Sequence, residues 1–204
     1  MTRLTAIEGS AVPLPIDNLD TDQIMPKQFL RIIDKGGLAD GLLYDLRFDE
    51  QGTPRTDCVL NRSAYVNARI LIGGANFGCG SSREHAVWGL QQYGFQAVIA
   101  PSFAEIFYSN AMNNRLLLVQ LEPDAIHALT HQAIEMPGVS ISIDLEQQTV
   151  RSASGERYAY PIGARHKRMV IEGMDIVDLT LDSLAAIEAF ERLHFARHPW
   201  AQVM

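Results

Sequence analysis

The residue types with the most chemistry to offer lie between Gly73 and Tyr93, in the run GGANFGCGSSREHAVWGLQQY. Ser81, Ser82 and Arg83 follow four glycines, Gly73, Gly74, Gly78 and Gly80, that let the backbone turn sharply and let a ligand come close. Arg83 brings a planar fork of donors that matches a carboxylate or phosphate. Either serine can cap a following helix. The amides at such a helix start lack intrahelical partners and carry partial positive charge, so the spot favours an anion. A glycine turn alone commonly serves close packing. Two serines plus a guanidinium exceed what one cap needs, which points to a binding function. Glu84 suits a helix start through the dipole alone. His85 reads as a hydrogen-bonded structural histidine. Cys79 reads as a small packing residue, or as a nucleophile for which the sequence assigns no histidine partner. The run is neither a GxGxxG dinucleotide fingerprint nor a GxSxG nucleophile elbow.

Positioning these groups requires a strand before them and a helix after. ARILIGG reads as a buried strand and SSREHAVWGLQQYG as a helix, with Gly94 as its C-terminal cap. QAVIAP is a second buried strand and SFAEIFYSNAMNN a second helix, with Ser102 and Glu105 at capping-box spacing. RLLLVQL is a third strand. Short connections between these elements predict a parallel βαβαβ core, hence an α/β fold. Upstream, LTAIEGSAVPLPI reads as a strand ended by Pro13 and Pro15. DNLDTDQIMPKQFL reads as an ordered loop with a short helix after Pro26. Residues 34–57, rich in glycine, charge and turn residues, read as a long surface excursion. Downstream come a helix over about 124–136, the β segments VSISIDL, QTVRSA and ERYAYPI, and a terminal helix over roughly 182–197. No linker divides the chain, so residues 1–204 read as one domain.

Net charge is −7 over 204 residues, which argues against a generic nucleic-acid or anionic-membrane surface. No apolar run reaches bilayer-spanning length, and the first residues lack the apolar core of a signal peptide, so the cytoplasm is the expected compartment. The two cysteines, Cys58 and Cys79, are expected to be reduced. They are too few for an iron–sulfur cluster, and no HExxH, CxxC or Walker spacing occurs.

NFGCGSSREHA, followed by GFQAVIAPSFAEIFYSNAMNNRLL, resembles the swivelling domain of the aconitase superfamily. More narrowly, the chain resembles the separate small subunits of bacterial 3-isopropylmalate dehydratases. DNLDTDQIMPKQFL and GMDIVDLTL are similar to their N-terminal and C-terminal motifs. The resemblance implies a β/β/α swivelling fold and a hydro-lyase, isomerising 2-isopropylmalate to 3-isopropylmalate through isopropylmaleate in leucine biosynthesis. It implies a heterodimer or higher hetero-oligomer with a large subunit that carries a [4Fe–4S] cluster, leaving no metal or cofactor on this chain. The substrate is a small hydroxy di-acid, with no nucleic-acid or membrane partner. By position, Ser81 is the implied general base, and Ser82, Arg83, Thr21 and Asp22 are the implied substrate-binding residues. A serine becomes a plausible base only in positive, closed surroundings.

The stretch after KQFL, residues 31–57, is implied to be a mobile substrate-selecting loop. It departs from the family pattern, reading DKGGL where a TRTGF-like run is usual, and PIGARHKRM is more basic than the usual form. Ile32, Ile33 and Leu38 offer an apolar pocket for an isopropyl group; Arg31 or Lys35 would suit a second carboxylate. These departures leave open a paralogous hydro-lyase acting on a methylmalate, dimethylmalate or citraconate-type substrate. A subunit kept only for binding or regulation is disfavoured by the intact GSSRE.

Overall fold

The computed structural model describes residues 3–30 and 36–202. Strand β1 (Ala6–Leu14) lies at the middle of one seven-stranded sheet, ordered β4-β3-β2-β1-β5-β6-β7. Its first half pairs antiparallel with β5 (Ser140–Asp144), and its second half pairs parallel with β2 (Ile70–Gly73). Pro13 falls beyond the β5 pairing, so its missing N–H costs the ladder nothing and the strand continues through it.

The predicted parallel core is present. Strand β2 leads through α4 (His85–Tyr93) to β3 (Ala97–Ala100), then through α5 (Glu105–Asn113) to β4 (Leu117–Gln120). These strands are parallel to β1, and β2 and β3 are buried throughout. Alternation sends their side chains to two cores. Leu71, Val98 and Leu118 pack with Val87 and Leu90 of α4 and Phe107 of α5. Ile70, Ile72, Ile99 and Val119 pack against α6 (Pro123–Glu135), whose Ile126 and Leu129 face the sheet. Beyond β5, the short antiparallel strands β6 (Thr149–Arg151) and β7 (Arg157–Ala159) complete the sheet.

The surface excursion that composition suggests is confined to its second half: residues 50–57 are exposed, whereas the chain before them packs into the core. After α1 (Thr21–Ile24), the chain folds into α2 (Leu38–Gly41) and α3 (Tyr44–Arg47), which bury Leu38, Leu42 and Leu43. Arg47 fastens the segment by donating to the Ala39 and Leu42 carbonyls and lying over the Tyr93 ring. Leu43 N–H donates to the Ile24 carbonyl at 2.9 Å. The apolar residues decided the outcome; Gly37 precedes α2, Gly41 lies within it against the Phe29 ring, and Gly52 turns the exposed chain that follows α3.

The C-terminal part contains two helices that the sequence reading missed, α7 (Ala164–Glu172) and α8 (Ile176–Leu181), before α9 (Leu184–Arg197). The basic run at the start of α7 has local partners. Lys167 donates to the Glu146 carbonyl, and Arg168 pairs with Glu172 and Asp182. Helix α9 buries no residue and leaves Phe190 and Leu193 exposed. Among the described residues no helix is long and apolar enough to cross a membrane.

Candidate active site at the carboxyl ends of β1 and β2

Two chain segments meet beyond the carboxyl ends of β1 and β2, where parallel sheets place their ligands. The first is Asp17–Asp22; the second is Gly74–Arg83. Backbone bonds lash them together: Gly78 N–H donates to the Leu19 carbonyl and Thr21 N–H to the Cys79 carbonyl, each at 2.8 Å. Asp17 accepts from Ala75 N–H, and Asn76 donates its amide to the Asn18 side chain. Gly74 is required by this close approach, since a Cβ there would overlap the Ile16 carbonyl group. Gly78 turns the chain at φ +79°, and a Cβ there would meet the Phe107 ring.

This lashing sets the position of Ser81. Thr21, 1 % exposed, accepts from Ser81 N–H at 3.1 Å, and the two hydroxyl oxygens lie 2.8 Å apart. With Thr21 Oγ1 already accepting, its own proton is available to Ser81 Oγ. Arg83 N–H points at the same oxygen at 3.4 Å. Ser81 Oγ thus lies within reach of the Arg83 amide and of the Thr21 hydroxyl, either of the two hydroxyls being able to donate to the other.

Arg83 forms an ion pair with Asp22, and Lys27 lies 3.7 Å from the same carboxylate. The Arg83 side chain stays 30 % exposed and that of Asp22 42 %, so the pair borders solvent rather than the core. The structure therefore brings together Thr21, Asp22, Ser81 and Arg83, residues some sixty positions apart in the chain. Ser82 is exposed beside them, with its carbonyl accepting from Asn110 Nδ2 at 3.0 Å.

Several local expectations are corrected. Helix α4 begins at His85 with Glu84 as N-cap and no side-chain cap bond, so neither Ser81 nor Ser82 caps it. The partners of Ser81 Oγ are the Thr21 hydroxyl and the Arg83 amide, not the free amides of a helix terminus. Ser102 and Glu105 form no capping box, because α5 starts after Ala104. Ser102 Oγ instead accepts from Asn76 N–H across the site turn, at 2.8 Å. Leu38, expected to line a selecting pocket, is wholly buried in the core. Thr21 is buried, with its hydroxyl bonded to Ser81. Arg31, Ile32, Ile33 and Lys35 lie outside the described residues. Cys79 is part-buried and donates to the Asn18 carbonyl, and the His85 ring lies tilted beside that of Trp88.

The sequence reading assigned no part to Asn110 and Asn114 on and beside α5, although they stand inside the run SNAMNN. Asn114 donates to Glu84 and accepts from the Trp88 indole, and Asn110 holds the Ser82 carbonyl. Two amide residues one turn apart on a helix packed beside the glycine turn were the available signal.

The family model for the aconitase C-terminal domain matches residues 1–124, and a LeuD_N model matches residues 127–164. The 3-isopropylmalate dehydratase small subunit 1 of Chromobacterium violaceum is 56 % identical over 200 residues, covering 98 % of this chain and 94 % of that one. The 3-isopropylmalate dehydratase small subunit of Phenylobacterium zucineum is 45 % identical, covering 99 % of each. A crystal structure of 3-isopropylmalate dehydratase from Methanocaldococcus jannaschii matches with TM-score 0.64 and 28 % identity, over 90 % of this chain and 99 % of that one. With the swivelling-domain sheet, the lashed serine turn and full-length relatives in agreement, the chain belongs to the 3-isopropylmalate dehydratase small-subunit family of the aconitase C-terminal domain group.

Proposed function

We propose that the chain is the small subunit of a 3-isopropylmalate dehydratase, a hydro-lyase of leucine biosynthesis in the cytoplasm. It would interconvert 2- and 3-isopropylmalate through isopropylmaleate, together with a large subunit. The observation that carries the proposal is the convergence of Thr21, Asp22, Ser81 and Arg83 beyond β1 and β2.

Ser81 is the group proposed to take the proton from the substrate carbon and to return one in the hydration half-reaction. An ordinary serine hydroxyl is a poor base in water. Here the Arg83 amide and a hydroxyl able to donate, that of Thr21, face its oxygen, and a guanidinium follows two residues on. Negative charge on Ser81 Oγ is thereby favoured. Arg83 is proposed to hold the carboxylate beside the reacting carbon, through its forked N–H groups, and to offset the charge that builds there. Asp22 pre-orients Arg83, and Ser82 offers a hydroxyl at the rim. The hydroxyl group of the substrate is lost as water at the end of the pocket this chain does not supply.

In such enzymes a [4Fe–4S] cluster acts as a Lewis acid on the departing hydroxyl. The donor set of this chain does not fit one. It has two cysteines, and among the described residues no three His, Cys, Asp or Glu side chains are grouped as metal ligands. The cluster is accordingly assigned to the large subunit, and no step is derived through it.

The test is a substrate panel on the enzyme reconstituted from both chains. The proposal predicts the highest kcat/KM with 2-isopropylmalate, by at least the roughly 10–200-fold that one methylene confers. Preference for a methylmalate, dimethylmalate or citraconate-type substrate would instead assign the chain to a paralogous hydro-lyase.

A further inference from the structure

We infer that Asn110 is a positioning residue for the proposed base, acting through one peptide plane. The inference rests on the assignment of Ser81 as that base. Asn110 Nδ2 donates to the Ser82 carbonyl at 3.0 Å. That carbonyl and the Arg83 N–H belong to the same peptide unit, which is trans, so the two groups point in opposite directions. Holding the carbonyl toward α5 therefore holds the N–H toward Ser81 Oγ, where it lies 3.4 Å away. Without the asparagine amide, the unit is free to rotate about its flanking φ and ψ angles. Ser81 Oγ would then lose one of the two donors that favour its charged form.

The placement of Asn110 is itself fixed. Asn114 Nδ2 donates to the Asn110 carbonyl at 2.8 Å and to Glu84 Oε1 at 3.1 Å. The Trp88 indole N–H donates to Asn114 Oδ1 at 2.9 Å. Helix α5 thus grips the Ser82–Trp88 segment at three successive points, and the one nearest the serine is Asn110. The segment needs such a grip. It is not yet helical at Ser82, and Ser81 and Ser82 make no helix cap, so neither a helix ladder nor a cap sets the orientation of the peptide.

The experiment compares Asn110→Ala and the nearly isosteric Asn110→Asp in the reconstituted two-chain enzyme. The aspartate keeps the volume but replaces the donor with an oxygen that repels the Ser82 carbonyl, so it serves if the alanine variant folds poorly. The expected result is a kcat lower by about 10–100-fold, below the usual cost of removing a direct oxyanion donor, with KM little changed. The ascending limb of the kcat–pH profile should move to higher pH, because a base with fewer donors holds its proton more tightly. In the isolated chain, hydrogen exchange at the Arg83 amide should accelerate in both variants. Parental kcat and pH limb, or a lower kcat with an unmoved limb and unchanged Arg83 exchange, would overturn the inference. A Ser81→Ala enzyme run alongside separates the two levels. If it is inactive while the Asn110 variants match the parent, only the inference fails. If it retains turnover, the assignment of the base fails and takes the inference with it.

Discussion

Ser81 differs from Ser82 only in the company it keeps. Its hydroxyl faces a buried threonine and a backbone amide, whereas Ser82 is exposed. Residue types and local spacing were enough to single out the serine–serine–arginine run, because the signal lies within three positions. The partnership with Thr21 was not derivable from periodicity or spacing. It spans sixty positions, and the family resemblance pointed only to Thr21 as a residue of the same pocket, not to its bond with Ser81. Glycine roles divide the same way. The sequence showed that the turn is glycine-rich, but only the fold shows that Gly74 lies against the Ile16–Asp17 backbone. That contact supports a prediction at this scale. Gly74→Ala puts a methyl group into main-chain atoms that cannot rotate away, at a cost of about 2 kcal/mol or more. Urea unfolding of the isolated chain should show a correspondingly lower midpoint; a change under about 0.5 kcal/mol would mean that the two segments are not packed so closely.

At the scale of elements, the buried strands and their connecting helices were legible because apolar runs and glycine stops are strong signals. Helix starts were not. Two caps assigned from serines are absent, and two capping boxes that were not foreseen are present. Asp20 pairs with Gln23 at α1, and Asp175 with Asp178 at α8. The physical reason is competition. Thr21 claims Ser81, and the site turn claims Ser102, before either can serve its own helix. The segment 38–47 was misread because its glycines and charges outweighed three leucines that the core required. Tyr160, between β7 and α7, supplies an elemental prediction. It is 3 % exposed, and its hydroxyl donates to the Asp144 carbonyl on β5 at 3.3 Å. Burial, aided by the Asp144 charge, raises its pKa above that of a free tyrosine. The fold therefore favours the neutral phenol. That stabilisation is intact below about pH 10, where the unfolded chain begins to ionise, and is lost as pH rises further. Tyr160→Phe should cost about 1 kcal/mol at neutral pH through the lost hydrogen bond. It should also make the decline of stability above about pH 10 shallower than in the parent. Parallel declines in the two proteins would show that Tyr160 titrates as it does in the unfolded chain.

At the scale of the whole molecule, the sheet gathers Ser81, the proposed base, and Arg83, the proposed carboxylate clamp, at one end, yet leaves them bordering solvent. On the proposed function, such an arrangement is half of a site. Strong charge stabilisation needs a closed, water-poor setting, and this chain alone provides only one wall. A second chain closing over Ser82 and Arg83 would supply the other, which is the physical sense of a swivelling domain made as a separate subunit. The measurement that tests this account most directly is turnover of 2-isopropylmalate by the two-chain enzyme carrying Ser81→Ala, with subunit association followed in the same samples. Ser81 caps no helix and is only part-buried, so folding and association should remain near those of the parent. The account predicts a fall in kcat of at least about 10²–10⁴-fold, the scale of losing a general base, with the complex intact. Near-parental turnover from an intact complex would contradict it, and would place the base on a residue other than Ser81.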